Sequence, residues 1–155
     1  MTTIDYGIDL GTTNSAVAVL RGVDTEVVKN NDDRDTTPSA VWIDRRDRLY
    51  VGRAARDRAE SDPGNTCLEF KLRMGTADAA TRFEASGREM SAEQLSAEVL
   101  RSLRGDVQQR HGVDLTAAVI TVPAAFDLSA CDATSRAGAL AGFSSTPLLQ
   151  EPTAA

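Results

Sequence analysis

A short polar segment near the N-terminus has residue types that could bind phosphate. Asp9 lies at the end of an apolar run and is soon followed by Gly11, Thr12, Thr13 and Asn14. Glycine lets the backbone approach a ligand closely, so successive N–H groups of this turn could surround phosphate oxygens, with the threonine hydroxyls as further donors. A carboxylate beside a phosphate requires a cation, so Asp9 predicts magnesium, held through water. A plain hairpin turn explains the same residues.

Two residues far along the chain, Lys71 and Glu151, could act on the same phosphate. Lys71 lies between Phe70 and Leu72, and its ammonium could reach a γ-phosphate from this apolar setting. A solvated lysine on a helix is the alternative. Glu151 precedes Pro152, which holds the residue before it extended, so its carboxylate could orient a water for attack on phosphate. An exposed glutamate without a role explains Glu151 as well.

The elements that must position these residues begin as short strands. Apolar, β-branched runs predict strands over residues 4–10, 16–20, 26–28, 39–43 and 49–51. The first two runs flank the polar segment, so they are predicted to form a β-hairpin through it. Polar, turn-forming residues predict a loop over residues 30–38.

Helical patterns follow in the middle of the chain. A short surface helix is predicted over residues 52–60, and residues 66–73, which contain Lys71, are assigned to the same helical region. Ser91 and Gln94 form a capping box, after which apolar residues recur at helical spacing until Gly112. A long helix is therefore predicted between Ser91 and Gly112.

The last third of the chain returns to a strand and then a helix. Residues 117–122 are almost wholly apolar and predict a strand buried on both faces. Asp127 or Ser129 is expected to cap a helix that runs to about residue 142. Residues 147–150 predict one more strand. This order of elements favours a mixed α/β architecture.

Composition argues against several function classes. A formal net charge of -6 argues against non-specific binding to nucleic acid. Two cysteines and one histidine are too few to suggest a zinc site. The first residues do not resemble a signal peptide and no run is long and apolar enough to span a membrane, so a cytoplasmic location is expected. The characteristic strings of P-loop proteins, serine hydrolases and zinc proteases are absent.

Several strings taken together resemble the seventy-kilodalton heat-shock chaperones, a family within the actin and sugar-kinase superfamily. They are residues 8–15, Thr37-Pro38-Ser39, residues 51–55, Phe70-Lys71, Ser91-Ala92-Glu93, residues 118–124 and residues 151–155. The matches are collinear and cover nearly the whole chain. The first string fits other members of the superfamily too. The Val-Ile-Thr-Val-Pro-Ala and Glu-Pro-Thr-Ala-Ala strings are typical of the chaperones.

The resemblance implies cofactors and a role for each candidate residue. ATP or ADP and magnesium would bind, with Asp9 holding the water shell of the magnesium ion. Lys71 would stabilise the transferring phosphoryl group, and Glu151 would lie near the metal and the attacking water. The β- and γ-phosphates would be bound by Gly11, Thr12, Thr13 and Asn14.

The resemblance also implies a fold and a domain organisation. The expected fold is an actin-like, ribonuclease H-like ATPase lobe, a mixed sheet with flanking helices and a smaller inserted subdomain. Residues 1–30 and 114–155 would form the sheet core, and residues 31–113 the α+β subdomain. The second lobe and the peptide-binding domain are expected to be missing, so this chain alone should not turn over ATP. Self-association through the exposed lobe face is expected.

In that family, ATP hydrolysis drives the binding and release of unfolded polypeptides with the help of cochaperones. Pro123 would correspond to the proline that relays the nucleotide state, and an arginine normally partners it. Cys131 occupies the arginine position here, which puts the relay in doubt. Two alternatives stay open: a lobe of another actin-like ATPase or small-molecule kinase, or a non-catalytic interaction module.

Overall fold

The structure is a computed structural model and describes residues 4–77 and 80–151. The strands are β1 Tyr6–Leu10, β2 Asn14–Arg21, β3 Asp24–Val27, β4 Thr37–Pro38, β5 Ala40–Ile43, β6 Leu49–Val51, β7 Thr66–Leu68, β8 Thr81–Arg82, β9 Glu89–Met90, β10 Val119–Val122 and β11 Leu148–Gln150. The α-helices are α1 Arg53–Arg56, α2 Ala92–His111 and α3 Leu128–Leu140. Single turns of 3-10 helix occur at Pro63–Asn65 and Phe70–Arg73.

The main sheet is mixed and has the strand order β11-β10-β1-β2-β3, with β4 also paired to β2. β1, β10 and β11 are parallel to one another, whereas β2 is antiparallel to β1, β3 and β4. The predicted hairpin of β1 and β2 is confirmed by the pairing of Leu10 with Ser15. The mixed α/β fold class is confirmed as well. Because three strands are parallel, their carboxyl ends meet at one edge of the sheet.

A smaller antiparallel sheet has the strand order β6-β5-β7. Trp42 of β5 stacks on Tyr50 of β6, with ring centroids 4.7 Å apart and an interplanar angle of 25°. The Arg58 guanidinium lies 4.7 Å from the centroid of the Trp42 ring. The indole N–H donates to Asp62 at 3.0 Å. Trp42 is thus fixed by stacking, by a cation–π contact and by a hydrogen bond.

Helix α2 links the two sheets through its buried stripe. The predicted capping box is confirmed, since Ser91 accepts from the Gln94 amide and the Gln94 side chain accepts from the Ser91 amide. Gly112 ends the helix in the left-handed conformation at φ 66°. The apolar stripe is at most 1% exposed and consists of Leu95, Val99, Leu103 and Val107. The helix contacts α3, β2, β5 and β6.

Several predicted elements are corrected by the structure. The helix predicted over residues 52–60 ends at Arg56, because only Ala55 of α1 is buried and little packing supports a longer helix. Residues 66–73 are not one helical region: β7 pairs with β5, and that pairing overrides local propensity. The predicted loop over residues 30–38 ends in β4. The β8–β9 pair is too short to show a periodic pattern.

One face of the main sheet is open among the described residues. An apolar depression of about 410 Å³ lies on it, and its lining includes Gly7, Ala16, Ala18, Val119 and Leu149. The expectation that residues 117–122 are buried on both faces is therefore wrong. Val119 and Thr121 are only half-buried because they face the depression, whereas Ile120 and Val122 are buried. None of the helices in residues 4–77 and 80–151 could cross a membrane.

The proposed division of the chain into a sheet core and a smaller subdomain stays a prediction. The main sheet takes its strands from residues 6–38 and 119–150, and the smaller sheet lies between them in sequence. Helix α2 contacts strands of both sheets. It belongs in sequence to the predicted subdomain over residues 31–113 and packs against α3 of the predicted core.

Asp106, on the buried side of α2, gives a testable pH dependence. Its side chain is 4% exposed, and burial raises its pKa to about 6, with Asp32 acting in the same direction and Arg110 opposing it. The folded state binds the proton more tightly than the unfolded state, so Asp106 makes the fold less stable as pH rises through the interval from about 4 to about 6. Asp106→Asn removes this penalty. We expect it to stabilise the fold by roughly 2 kcal/mol at about pH 8.

Urea denaturation of wild type and Asp106→Asn, carried out from about pH 4 to about pH 8, measures the difference in their free energies of unfolding. The exposed Asp132 supplies the matched control, and the curve of Asp132→Asn should follow that of wild type. A stability difference that does not change with pH would contradict the assignment to Asp106.

Candidate functional site

The turn between β1 and β2 is shaped by Gly11. A Cβ added to Gly11 would lie 2.0 Å from the Asn14 carbonyl oxygen, so only glycine fits this turn. Among the described residues, the amides of Thr12 and Thr13 donate to no protein acceptor. Thr13 and Asn14 are exposed, and Thr12 is half-buried. The turn therefore offers two free N–H groups toward a ligand, as an anion-binding turn does.

Asp9 lies two residues before this turn, near the carboxyl end of β1. Its side chain is exposed and accepts a hydrogen bond from the Thr121 hydroxyl of the neighbouring β10 at 3.2 Å. Residues 4–77 and 80–151 contain no group of three or more His, Cys, Asp or Glu side chains that could hold a metal ion. A single carboxylate suits magnesium, which keeps several waters and takes oxygens from phosphates. Asp9 thus fits an ion held largely by water and nucleotide.

Lys71 lies in the 3-10 turn Phe70–Arg73 and is only 6% exposed. The alternative of a solvated helix lysine is therefore wrong. Its ammonium is 4.0 Å from the Glu151 carboxylate and 5.5 Å from the centroid of the Phe126 ring. Burial lowers the pKa of Lys71, and the negative charges of Glu151 and Asp9 oppose that shift. The Lys71 side chain is largely removed from water, lies close to the Glu151 carboxylate and is also influenced by the charge of Asp9.

Glu151 directly follows β11 and continues its pairing. Its amide donates to the Val122 carbonyl at 2.7 Å, and its side chain is 40% exposed. Pro152, on which the prediction of a rigid Glu151 rested, lies outside the described residues. Instead, the hydrogen bond from the Glu151 amide to β10 fixes the backbone from which the Glu151 side chain extends. Its carboxylate can contact both Lys71 and solvent.

The structure brings Asp9, Lys71 and Glu151 together at the edge where β1, β10 and β11 end. Ligands bind at such carboxyl edges in open α/β sheets. No hydrogen bond or ion pair joins Lys71 to residues 11–14 within the described parts of the chain. Asp9 lies between these two parts of the site: it precedes Gly11 by two residues, and its charge acts on Lys71. Sequence reasoning missed Thr121 and Phe126, which only the strand register and the packing bring to the site.

Pro123 and Cys131 lie near this edge, but they do not belong to the group of three charged side chains described above. Pro123 follows β10, and its carbonyl accepts from the Phe126 amide at 3.0 Å. Cys131 is in the first turn of α3, where its amide donates to Asp127, which caps the helix. Its thiol is half-buried and has no hydrogen bond among the described residues. No hydrogen bond joins Pro123 to Cys131 among the described residues.

Comparison with known proteins identifies the family. The family model described as Hsp70 protein matches residues 5–155. The chain belongs to the Hsp70 family. It is 40% identical over 168 residues to the chaperone protein DnaK of Deinococcus radiodurans, and 41% identical over 168 residues to that of Deinococcus proteolyticus. These alignments cover 96% of this chain but only 27% and 26% of the two relatives.

The Hsp70 match confirms the resemblance found from sequence strings. It also confirms the fold class, because a mixed sheet with flanking helices agrees with the actin-like ATPase lobe of Hsp70 proteins. The match favours the chaperone branch over a kinase lobe. The chain spans about a quarter of the length of the DnaK relatives, so the activity of a complete protein is a matter for proposal.

Proposed function

We propose that this chain forms the phosphate- and magnesium-binding part of the ATP site of an Hsp70 chaperone. One observation supports this most strongly: Asp9, the buried Lys71 and Glu151 converge at the carboxyl edge of three parallel strands. A turn with two free amides begins two residues after Asp9. A buried cation, adjacent carboxylates and free backbone N–H groups together suit a polyphosphate with a divalent ion.

The turn would bind the nucleotide through its backbone. The free amides of Thr12 and Thr13 would donate to oxygens of the β- and γ-phosphates, with their hydroxyls and the Asn14 side chain as further donors. Asp9 would hold magnesium through its water shell. When bound, magnesium would neutralise phosphate charge and fix the orientation of the nucleotide. Gly11 would let the phosphates approach the backbone.

Lys71 and Glu151 would supply the charge and the base for hydrolysis. Lys71 is buried, so its ammonium would act in a low-dielectric environment, where charge stabilisation is stronger than in water. Glu151 contacts solvent and would orient a water for attack on the γ-phosphorus. The bond from the γ-phosphorus to the bridging oxygen would break, leaving ADP and inorganic phosphate.

The complete protein would use this reaction to bind and release unfolded polypeptides together with cochaperones. The DnaK relatives carry the name chaperone protein, and the shared family supports this role. Phosphoryl transfer requires charge stabilisation from all sides of the phosphate. The described residues supply one side, so we expect no steady ATP turnover by this chain alone. The cytoplasmic location stays a prediction.

A nucleotide titration followed by NMR tests the proposed site. We expect magnesium-ADP to shift the amide resonances of residues 11–14, with a dissociation constant of about 1 mM or weaker because the described residues supply only one side of the site. The matched ligand is magnesium with adenosine, which lacks phosphates and should shift none of them. Micromolar affinity would contradict the incomplete site. No shift in residues 11–14 at saturating nucleotide would contradict phosphate binding by the turn.

The open face of the main sheet supports the predicted self-association. Leu149 is 59% exposed and lines the apolar depression on that face. We expect concentration-dependent dimerisation in sedimentation velocity, and Leu149→Lys should reduce it. Leu128, which is 78% exposed and outside the lining of the depression, supplies the matched control Leu128→Lys. Equal effects of the two variants would argue against this face.

A further inference from the structure

A ring of hydrogen bonds encloses both backbone groups of Gly11. The Gly11 amide donates to Ser15 Oγ at 3.2 Å. Ser15 Oγ and Ser39 Oγ are 2.8 Å apart, and Ser39 Oγ donates to the Gly11 carbonyl at 2.8 Å. Starting from the amide of Gly11, the path therefore returns to the carbonyl of the same residue. We call Gly11, Ser15 and Ser39 the serine ring.

The direction of every proton in the serine ring is determined. A carbonyl only accepts, so the single hydroxyl hydrogen of Ser39 is used on Gly11. A backbone amide only donates, so Ser15 Oγ accepts from Gly11. The hydrogen of Ser15 must then point to Ser39 Oγ. Each hydroxyl thus donates once and accepts once, and a closed arrangement of this kind strengthens its members mutually.

The serine ring is shielded from water. Ser15 is 1% exposed and Ser39 is 3% exposed, so neither hydroxyl can replace a lost partner with solvent at little cost. The Ser39 amide also donates to the Thr13 carbonyl at 2.9 Å. Ser39 therefore binds the carbonyls on both sides of Thr12. The Gly11 carbonyl and the free Thr12 amide belong to the same peptide plane, so the bond from Ser39 fixes the direction of the Thr12 N–H. The bond from the Ser39 amide to the Thr13 carbonyl holds the far side of the turn.

A second set of hydrogen bonds positions Ser39 itself. Asn30, which is 8% exposed, donates to the Thr36 carbonyl at 2.9 Å and to the Thr37 hydroxyl at 3.0 Å. Thr37 pairs with Ser15 in the sheet. The strand that carries Thr37 thus fixes the distance between Ser39 and Ser15. Arg110 of α2 donates to the Asn30 carbonyl at 2.8 Å and anchors this loop to the helix.

We propose that Ser39 is a positioning residue for the nucleotide: through the serine ring it presets the turn so that its free amides face the phosphates. This assignment rests on the proposed function for the part that concerns phosphate. The part that concerns the turn stands on the described contacts alone. Ser39 does not touch the ligand in this proposal. It acts by holding Gly11 and Thr13.

Residue-resolved amide hydrogen exchange of the nucleotide-free chain tests the ring. In Ser39→Ala, we expect the Gly11 amide to exchange about tenfold faster, because the carbonyl and one hydroxyl lose buried partners. The control is Ser96→Ala, which removes another fully buried hydroxyl, the one in contact with Met74 Sδ at 3.5 Å. It should leave Gly11 exchange unchanged. Unprotected Gly11 in wild type, or equal effects of both variants, would overturn the proposal.

The second variant, Ser15→Ala, keeps the test decisive if Ser39→Ala folds poorly. Both substitutions break the same ring, so Gly11 in the double variant should exchange no faster than in the faster single variant. If the Gly11 exchange rate in the double variant rises by the product of the two single effects, the two serines act independently and the ring is overturned.

A magnesium-ADP titration then separates this inference from the proposed function. We expect the midpoint of the shifts in residues 11–14 to rise about tenfold in Ser39→Ala and to stay unchanged in Ser96→Ala. A midpoint unchanged in Ser39→Ala would overturn the positioning role. Absence of shifts in wild type would overturn both phosphate binding and that role, while the exchange data would still decide whether the ring exists.

Discussion

Lys71→Met should stop ATP turnover while making the fold more stable. Removing one buried charge that stabilises the transition state costs at least about 100-fold in rate. The same charge destabilises the nucleotide-free fold, because burial lowers the pKa of Lys71 and its partner Glu151 is incompletely buried. Replacing such a buried ion by an apolar residue of similar size is expected to stabilise by about 1–2 kcal/mol.

Turnover is measured in a chimera in which this chain replaces the matching segment of the Deinococcus radiodurans chaperone. Stability is measured on the chain itself by urea denaturation. The only other lysine, Lys29, supplies the matched control because it is 48% exposed and pairs with Asp35 at 2.9 Å. Lys29→Met should change neither quantity appreciably. Loss of stability in Lys71→Met would show that the ion pair with Glu151 outweighs the desolvation of Lys71.

The stabilisation by Lys71→Met should depend on pH with a definite sign. The folded pKa of Lys71 lies below its ordinary value of 10.5, so between the two values the unfolded state binds more protons. In that interval the stability of wild type rises with pH. The advantage of Lys71→Met is therefore full below the folded pKa of Lys71 and shrinks as pH rises from there toward the ordinary value of 10.5. A constant advantage across this range would contradict the assigned cause.

Gly11→Ala should unfold or severely weaken the chain. The added methyl group would lie 2.0 Å from the Asn14 carbonyl oxygen, which is backbone and cannot rotate away. Relief requires a shift of the turn, which would also strain the serine ring. We expect a loss of about 3 kcal/mol, at the upper end of the cost of overpacking. Urea denaturation followed by circular dichroism measures this loss.

Gly105→Ala is the matched control for the same chemical change. Gly105 lies in α2, and a Cβ there would meet nothing within 4 Å. Alanine is a better helix former than glycine, so this variant should gain about 0.5–1 kcal/mol. Opposite signs for the two glycines would show that local geometry decides the outcome. A Gly11→Ala variant as stable as wild type would mean that the turn has another accessible conformation.

Much of the fold could be predicted because its signals are local. The capping box of Ser91 and Gln94 and the glycine at position 112 define both ends of α2 by hydrogen bonding and backbone conformation. The β1–β2 hairpin follows from two apolar runs around a polar turn. The β8–β9 pair could not be found, because two residues per strand carry no period. The end of α1 depended on packing, which a single segment does not show.

Only part of the candidate site could be predicted from the sequence. The turn at Gly11 has a local signal in its residue types. The burial of Lys71 has none, because a 3-10 turn packed near Phe126 and Glu151 depends on contacts between distant segments. Its approach to Glu151 requires the parallel pairing of β10 with β11. The serine ring likewise depends on the register between β2 and β4, so two ordinary serines gave no sign of it.

Trp42 makes the chain's own fluorescence a reporter of one region. It is the only tryptophan in the sequence, and it lies in the smaller sheet against Tyr50 and Arg58. The emission of Trp42 should hardly change during a nucleotide titration, yet it should change strongly when the smaller sheet unfolds. Fluorescence and circular dichroism transitions that coincide in urea would mean that both sheets unfold as one cooperative unit. A fluorescence transition at lower urea would mean that the smaller sheet melts first, while the backbone around Gly11 keeps its fold.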